Sequence, residues 1–396
     1  MKLRFRRLAL LPLLVGLAAC PSGGPTKIGA VLPETGNAAV YGSAIHRGVA
    51  LAHEVTQKDP QAPRVELVWA DTGSDPEKGA TELENVYDDG AIAAIGGVTS
   101  AEALAMVPVA DRKNQILLSP SASLPQLTGI SSNFFRIFPS DFSEGTVMAK
   151  FAFDTYKVKT AVILAKEETY AKGIQEVFAD EFQRKGGQII EILEFPANTN
   201  DFAALADRVN TLKPDAVYIA AYAGEILGII RELRRQGYEG NILTTSSFAA
   251  AETIAKAGAA AEGVLFTQTA LELEGDTAPQ VKEFAAAYRA KYGSDPDLYA
   301  AHGYDAYQVL VEALRQGGDT ASSFWKGMRN IHEFPGVTGT FQFDEKGDVQ
   351  KFPHVYRVKD GKALDYELER QRQLKEARER LQKIQEEIER LKNQGK

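Results

Sequence analysis

The sequence predicts an α/β protein with two doubly wound parallel-sheet lobes, a hinge of several crossovers between them, and a C-terminal coiled-coil helix. Strand and helix patterns alternate in two successive series along the chain. The strands are continuous apolar runs, which is typical of parallel sheets covered on both faces. A seven-residue apolar repeat near the C-terminus indicates the final helix.

The first 20 residues are predicted to be an export signal and not part of the fold. Basic residues precede an apolar run at 8–17, and small residues precede Cys20. The apolar run is too short to span a bilayer comfortably. Cys20 is the only cysteine, and its junction resembles the lipobox of bacterial lipoproteins, which implies lipid modification at Cys20. The alternative is an ordinary signal peptide that leaves a cysteine nearby.

We therefore expect a signal peptide at 1–19, a flexible tether at 20–26, and a protein exported to the bacterial cell envelope or periplasm. There the lipid at Cys20 would anchor it to a membrane. The body of the chain is acidic: the net charge is −8, although the first 19 residues carry four basic and no acidic side chains. This charge argues against nucleic acid as a partner.

The first lobe is predicted from a βαβαβαβ series. Its strands are expected at 27–32, 64–71, 92–95 and 116–118. The second lobe repeats the pattern, with strands at 160–165, 188–195, 215–221, 241–245 and 263–269.

Beyond residue 269 the pattern changes to long helices and a closing β-hairpin formed by 338–343 and 352–358. These elements are too few for a third lobe, so the chain is expected to return to the first lobe and then touch the second again. The predicted lobes are therefore 27–141 with 270–345, and 142–269 with 346–362. Such repeated crossing makes a hinge with a cleft between the lobes.

The most informative stretch runs from Ile92 to Ser123. Thr99 and Glu102 form a capping-box pattern at a helix start, and a Ser-rich turn ending at Ser123 follows the next strand. Hydroxyls, free N–H groups and a helix N-terminus would meet at the carboxyl ends of adjacent strands, an arrangement that suits a carboxylate. The alternative is that these residues only cap a helix and form a turn.

Three tyrosines, Tyr41, Tyr170 and Tyr222, follow predicted strand ends. Their amphipathic rings suit a pocket that is apolar with a few polar groups. The sequence contains no nucleotide-binding, zinc-protease or nucleophile-elbow motif, and its five histidines lack ligand spacing for a metal. We expect a protein that is not an enzyme and that uses no cofactor or metal. The alternative is a catalytic Ser–His–Asp triad assembled from distant positions of the chain.

In their order and spacing, several short motifs resemble type I periplasmic substrate-binding proteins of ABC importers, specifically the leucine/isoleucine/valine-binding branch. The motifs lie at residues 28–36, 41–42, 95–100, 119–123, 170–173, 304–306 and 343–347. The resemblance covers about residues 27–360. It implies a protein that binds a branched-chain or similar small amino acid between its lobes and delivers it to ABC permease subunits.

The resemblance also implies a binding site. The hydroxyls of Ser100 and Ser123, with backbone groups of Ser121, would hold the carboxylate and ammonium of an amino acid. The side chains that would close over the ligand from the two lobes are Tyr41, Tyr170 and Tyr222.

One departure from the family concerns the acid that pairs with the ligand's ammonium. Ser246 stands where leucine-type proteins have that acid. Glu225 or Asp305 would then supply the charge. If neither does, the ligand carries no ammonium, and an amide, a urea or an aromatic acid is the alternative.

The C-terminal segment 365–394 is predicted to be a coiled-coil helix. Apolar residues alternate at spacings of three and four, at Leu374, Ala377, Leu381, Ile384, Ile388 and Leu391. Residues 371–394 would then join copies of the chain into a homo-oligomer. The alternatives are an exposed single helix held by ion pairs, or a sensor or scaffold that recruits a partner through the coil.

Overall fold

Two β-sheets form the framework of the fold in a computed structural model that describes residues 24–273 and 277–394. The predicted signal peptide and Cys20 lie outside the described residues. The α/β class with two parallel-sheet lobes is confirmed. Within the described residues, no helix is long and apolar enough to cross a membrane.

The first sheet is entirely parallel and has the strand order β2-β1-β3-β4-β5. Its three central strands are largely buried apolar runs, as expected for a sheet covered on both faces, while the edge strand Val65–Asp71 is mostly half-exposed. The elements of this series are β1 (Thr26–Leu32), α1 (Ala39–Thr56), β2 (Val65–Asp71), α2 (Pro76–Asp88), β3 (Ala93–Gly96), α3 (Ser100–Lys113), β4 (Ile116–Ser119) and β5 (Phe134–Arg136).

The second sheet has seven strands, of which five are parallel. A π-helical segment at Phe151–Thr155 follows directly on the first helix of this series. The elements of this series are α4 (Asp141–Lys150), β6 (Thr160–Lys166), α5 (Thr169–Arg184), β7 (Gln188–Phe195), α6 (Ala203–Leu212), β8 (Ala216–Ala220), α7 (Ala223–Arg235), β9 (Asn241–Thr244), α8 (Ala251–Ala257) and β10 (Leu265–Gln268).

The remaining elements complete both lobes. They are α9 (Pro279–Tyr292), α10 (Leu298–Gly317), α11 (Ala321–Arg329), β11 (Phe334–Gly336), β12 (Gly339–Phe341), β13 (His354–Lys359), β14 (Lys362–Asp365) and α12 (Tyr366–Gln394). Helix α10 lies against α1 so closely that a Cβ at Gly48 would stand 1.9 Å from the carbonyl oxygen of Ala300. Glycine at this position therefore permits the helix contact that returns the chain to the first lobe.

The predicted closing hairpin is wrong, because its two strands belong to different hairpins. Strands β11 and β12 pair only with each other, while β13 and β14 extend the second sheet in antiparallel fashion next to β10. Only an isolated bridge between Phe343 and Val349 joins the intervening chain. The tight turn between β13 and β14 uses Asp360 and Gly361 at positive φ.

A buried ion pair fixes the last crossover of the chain to the first sheet. Arg136, at the end of β5, is fully buried and donates from Nε and Nη2 to the two carboxylate oxygens of Asp348, at 2.7 and 2.8 Å. Further bonds run from its guanidinium to the carbonyl oxygen of Leu124 and to Thr128 Oγ1. Because every charge is paired or hydrogen-bonded, this burial is tolerated.

Candidate functional site

A small cavity lies between the two lobes, at the carboxyl ends of both parallel sheets. The empty space between its walls, part of which is open to solvent, is about 310 Å³. The residues that line it are Tyr41, Val98, Thr99, Ser100, Ser121, Ser123, Tyr170, Tyr222, Ser246, Ser247 and Tyr299.

The N-terminus of α3 forms one wall of this cavity. Gly97 turns the chain at a positive φ of 65°, and Thr99 caps the helix: its Oγ1 accepts from the N–H of Glu102, whose carboxylate accepts from the N–H of Thr99. The cap occupies the Thr99 side chain. Ser100, at the first helical position, is left facing the cavity, with its Oγ accepting only a long bond from the Leu124 N–H. Its hydroxyl proton and the positive end of the helix are therefore free to bind an anion.

The serine turn after β4 provides the neighbouring wall. Ser119 donates its hydroxyl to the carbonyl oxygen of Gly97 and Ser121 donates to that of Val98, both at 2.7 Å, so the two turns are joined. The hydroxyl proton of Ser121 is therefore engaged, and its oxygen is left to accept a hydrogen bond from a ligand. Ser123 is buried and lines the same space. The predicted convergence of two strand ends is found in the structure.

Four tyrosine rings close the cavity from the two lobes. Tyr170 and Tyr222, on the second lobe, stack with centroids 5.2 Å apart, and Tyr41 and Tyr299, on the first, lie 4.7 Å apart. The Tyr170 hydroxyl accepts from Ser247 Oγ and keeps its own proton available. The hydroxyl of Tyr222 is buried and has no hydrogen-bond partner within the described residues. These two phenols are therefore able to bind a ligand.

The phenols of Tyr41 and Tyr299 instead connect the lobes. Tyr41 Oη donates to the carbonyl oxygen of Ser247 at 3.0 Å and accepts from the N–H of Ala223 at 2.7 Å. Tyr299 Oη donates to the carbonyl oxygen of Ser246 at 3.0 Å. Burial raises the pKa of both phenols, so each stays protonated and able to donate at neutral pH. The three bonds hold the lobes in a closed arrangement.

Asp141 is a buried carboxyl that the sequence analysis missed. It lies at the start of α4 and is fully buried; neither carboxylate oxygen forms a hydrogen bond of normal geometry within the described residues, although the Ser123 hydroxyl lies nearby. Burial, followed by the nearby carboxylate of Glu144, raises the pKa of Asp141 well above its ordinary value, and the Ser123 hydroxyl opposes this shift in part. An unpaired buried carboxyl next to a residue that lines the cavity indicates a place for a cation.

Glu144, one helical turn further along α4, stands behind Ser246. Its Oε1 accepts from the N–H of Ser246 at 2.6 Å and from Thr267 Oγ1 at 2.7 Å, and its Oε2 accepts from Ser246 Oγ at 2.9 Å. Burial raises the pKa of Glu144 despite these three bonds. An acid therefore lies immediately behind Ser246, the position where the resemblance leads us to expect an acid.

Glu225 does not line the cavity. Its carboxylate forms a largely buried ion pair with Lys166, at 2.7 Å. The Lys166 ammonium also lies 5.1 Å from the centroid of the Tyr222 ring, which does line the cavity. The charge of Glu225 is thus neutralised within the second lobe, and the prediction that it pairs with a ligand ammonium finds no support in this geometry.

The placement of Asp305 in the cleft is wrong. Its carboxylate accepts from the N–H groups of Val337 and Thr338 at 2.8 and 2.9 Å and from Thr338 Oγ1 at 2.5 Å. It borders a separate cavity of about 820 Å³ on the first lobe. Asp305 therefore holds the turn between β11 and β12 against α10.

Of the nine predicted ligand-binding residues, the structure brings seven together at one cavity: Tyr41, Ser100, Ser121, Ser123, Tyr170, Tyr222 and Ser246. It adds Ser247 and Tyr299, with Asp141 and Glu144 behind the wall. Ser247 adjoins Ser246, and Tyr299 begins a predicted helix, so neither carried a distinct sequence signal. Within the described residues, no group of acids, histidines or cysteines could hold a metal ion.

Two sheets of parallel strands, a chain that crosses between them three times and a polar cavity at their facing edges define a two-lobed ligand-binding protein. The family model described as periplasmic binding protein matches residues 25–363. The chain belongs to this family, as a type I periplasmic binding protein of the leucine/isoleucine/valine-binding branch, and the predicted resemblance is confirmed. These are the periplasmic substrate-binding subunits of ABC transporters.

The relatives match almost the whole chain. A leucine-binding protein of Thermotoga maritima has a solved structure that is 32% identical, covers 86% of this chain and 97% of its own, and has a TM-score of 0.81. A leucine-, isoleucine-, valine-, threonine- and alanine-binding protein of Pseudomonas aeruginosa is 26% identical over 88% of this chain and 94% of its own length.

A third neighbour shares the fold at lower identity. A solute-binding protein of R. palustris, solved in complex with benzoate, is 23% identical, covers 87% of this chain and 96% of its own, and has a TM-score of 0.80. The matched region of the family model ends at residue 363, just before α12 begins.

Proposed function

We propose that this chain binds a small amino acid between its lobes and delivers it to an ABC permease. The observation that carries the proposal is the pairing of opposite chemistries at one cavity. Hydroxyl donors and a helix N-terminus lie at Ser100, and an unpaired buried carboxyl lies at Asp141, behind Ser123. A zwitterion is complementary to both.

The carboxylate of the ligand would lie at the N-terminus of α3. Ser100 has a hydroxyl proton to donate, and the first N–H groups of a helix have no partner within the helix. Tyr170 would add a donor from the second lobe, because its hydroxyl only accepts from Ser247. This half of the site resembles the anion sites found at other helix N-termini.

The ammonium of the ligand would lie at the Ser123 side of the cavity, in front of Asp141, with the carboxyl group of Glu144 close by. The cation among the groups that act most on Asp141 is Arg136, which is itself paired with Asp348. The two carboxyls are therefore short of positive charge, and a ligand ammonium would supply it. On this proposal the departure at Ser246 is compensated from α4, where the acid would lie in place of the loop after β9.

The walls favour a small side chain. Val98 is the one aliphatic residue among those that line the cavity, and the others are serine, threonine and tyrosine. The P. aeruginosa relative binds alanine and threonine as well as the branched-chain amino acids. We therefore expect the smaller members of this group to bind at least as well as leucine.

An aromatic acid is the second candidate. The four tyrosine rings around the cavity and the benzoate of the R. palustris structure favour it. Such a ligand would satisfy Ser100 but leave Asp141 without a cation. Calorimetric titration of the purified protein with alanine, threonine, valine, isoleucine and leucine, then with amides, urea and benzoate, decides between the classes. The proposal fails if an ammonium-free compound binds and no amino acid binds better than millimolar.

Ser100→Ala is expected to weaken binding of the preferred amino acid by roughly 10- to 150-fold, because one hydrogen bond to a charged group contributes about 1.5–3 kcal/mol. Calorimetry gives the two dissociation constants. Ser322→Ala, at an exposed serine of α11, is the matched control and should leave binding unchanged. Equal affinities of the Ser100→Ala variant and the native protein would show that the ligand carboxylate does not lie at the N-terminus of α3.

The anchor at Cys20 is a further part of the proposal, supported by the basic and apolar segments before it. Cys20→Ser is expected to move the protein from the membrane fraction to the soluble envelope fraction. Fractionation of cells followed by immunoblotting measures this. Unchanged membrane association of the Cys20→Ser protein would show that the cysteine is not the anchor.

A further inference from the structure

Helix α12 forms an arm that begins on the second lobe and then extends away from it. Asp365 caps the helix, accepting from the N–H groups of Glu367 and Leu368, and its other oxygen is 2.6 Å from His354 Nδ1. Glu369 accepts from Arg357 at 2.6 Å and from Lys359 at 2.7 Å. These contacts fix the first turn of α12 to β13, so the direction of the whole helix is set by the sheet.

Every residue of α12 from 370 to 393 is exposed, including a stripe of large apolar side chains. The exposed fractions are 47% for Leu374, 60% for Leu381, 52% for Ile384, 45% for Ile388 and 62% for Leu391. The stripe also contains Ala377 and follows the coiled-coil repeat without interruption. A continuous, exposed apolar stripe along a helix is typical of a helix that packs against another helix.

We infer that the stripe is covered by the same helix of a second copy, in an antiparallel two-stranded coiled coil of residues 371–394. Centred between Gln382 and Lys383, the antiparallel alignment places Leu374 opposite Leu391, Ala377 opposite Ile388 and Leu381 opposite Ile384, each twice by symmetry. Ala377 is then matched by a large residue in every layer where it occurs. A parallel pair would instead place Ala377 against itself and leave a gap in the core.

The charges beside the stripe agree with the antiparallel alignment. The residues that flank the core from the two helices would be Arg380 and Glu387, which pair twice across the dimer axis. On the other flank, Arg378 meets the neutral Gln385, so no like charges are opposed. The two arms overlap over their whole exposed length of about 36 Å, and the first turn, which contacts β13, stays outside the coil.

The arrangement leaves both ligand sites free. No residue that lines the cleft cavity belongs to α12. An antiparallel coil places the two binding units at opposite ends of the arm, where they do not collide. Each unit would then open and close independently while the pair stays joined.

Sedimentation equilibrium of the full chain carrying Cys20→Ser tests the inference. We expect twice the monomer mass in the micromolar range. Ile384→Asp should give a monomer, because it buries a charge in the seam, while Gln382→Asp, on the outer face of the same turn, should remain a dimer. Circular dichroism of both variants checks that α12 stays helical. A native protein that stays monomeric throughout overturns the inference.

Charge reversal and cross-linking test the orientation. Arg380→Glu opposes Glu387 twice and should raise the dimer dissociation constant about tenfold, and adding Glu387→Arg should restore it. In a parallel pair Arg380 would meet Gln385, and neither change would have this effect. Mixed Leu381→Cys and Ile384→Cys chains should form disulfide-linked pairs. Efficient linking of Leu381→Cys chains alone, or capture of a different protein in place of a second copy, contradicts the antiparallel dimer.

Discussion

Asp141→Asn is expected to weaken binding of the amino-acid ligand by roughly 30- to 4,000-fold, since losing one partner of a buried charge pair costs about 2–5 kcal/mol. The ammonium of the bound ligand would keep its burial but lose its carboxylate. Glu144 would not replace it, because its oxygens already accept three hydrogen bonds from Ser246 and Thr267. Calorimetric titration of the variant measures the loss.

The same variant should be more stable than the native protein when no ligand is present. Burial raises the folded-state pKa of Asp141, so its contribution to stability is fully present below the unfolded-state pKa and is lost as pH rises through the folded-state pKa. Asparagine carries no charge and avoids this loss at neutral pH. Thermal unfolding without ligand, from acid to neutral pH, should show a smaller decrease for Asp141→Asn.

Ligand affinity should depend on pH in the opposite direction. Affinity of the native protein is expected to fall as pH falls through the raised pKa of Asp141, because the protonated carboxyl no longer attracts an ammonium. The matched control is Glu167→Gln, which removes an exposed carboxylate of the second lobe. If Asp141→Asn binds amino acids as tightly as the control does, Asp141 is not the ammonium site.

Asp348→Ala is expected to lower the free energy of unfolding by about 3–5 kcal/mol, because it leaves the fully buried guanidinium of Arg136 without its partner. Urea denaturation followed by circular dichroism measures the change. Arg235→Ala removes the arginine of an exposed pair with Glu232 and should cost less than about 1 kcal/mol.

Removing both charges distinguishes the ion pair from simple loss of packing. Combining Asp348→Ala with Arg136→Met should recover part of the loss, since no charge then remains buried. A loss no larger than that of Arg235→Ala would show that the crossover at Asp348 does not depend on this pair. The crossover joins the lobes, so its loosening should also weaken ligand binding.

The parts of the fold that could be predicted are those encoded locally. The apolar strands, the capping box at Thr99 and the serine turn ending at Ser123 each have a signal within a few residues, and all are present. The heptad repeat likewise predicted the helix that forms α12, although its coiled-coil pairing stays a prediction.

The proposed ammonium site could not be predicted in this way. Asp141 and Glu144 are acids in the first turn of a helix, where acids are common because they oppose the helix dipole. Only their burial distinguishes them, and burial depends on how β9, β10 and α4 pack in three dimensions. The prediction for Asp305 was wrong because a single acid within a helix pattern does not show which side of the lobe it faces.

The closed arrangement of the two lobes is held by hydrogen bonds to main-chain atoms of the second lobe. Tyr41 and Tyr299 form hydrogen bonds to carbonyl and N–H groups of the second lobe, at Ser246, Ser247 and Ala223. The side chains of Ser246 and Ser247 could thus be exchanged without losing any of these bonds. The selectivity of the site can therefore diverge by substitution while the machinery of closing, and the shape shown to a permease, stays the same.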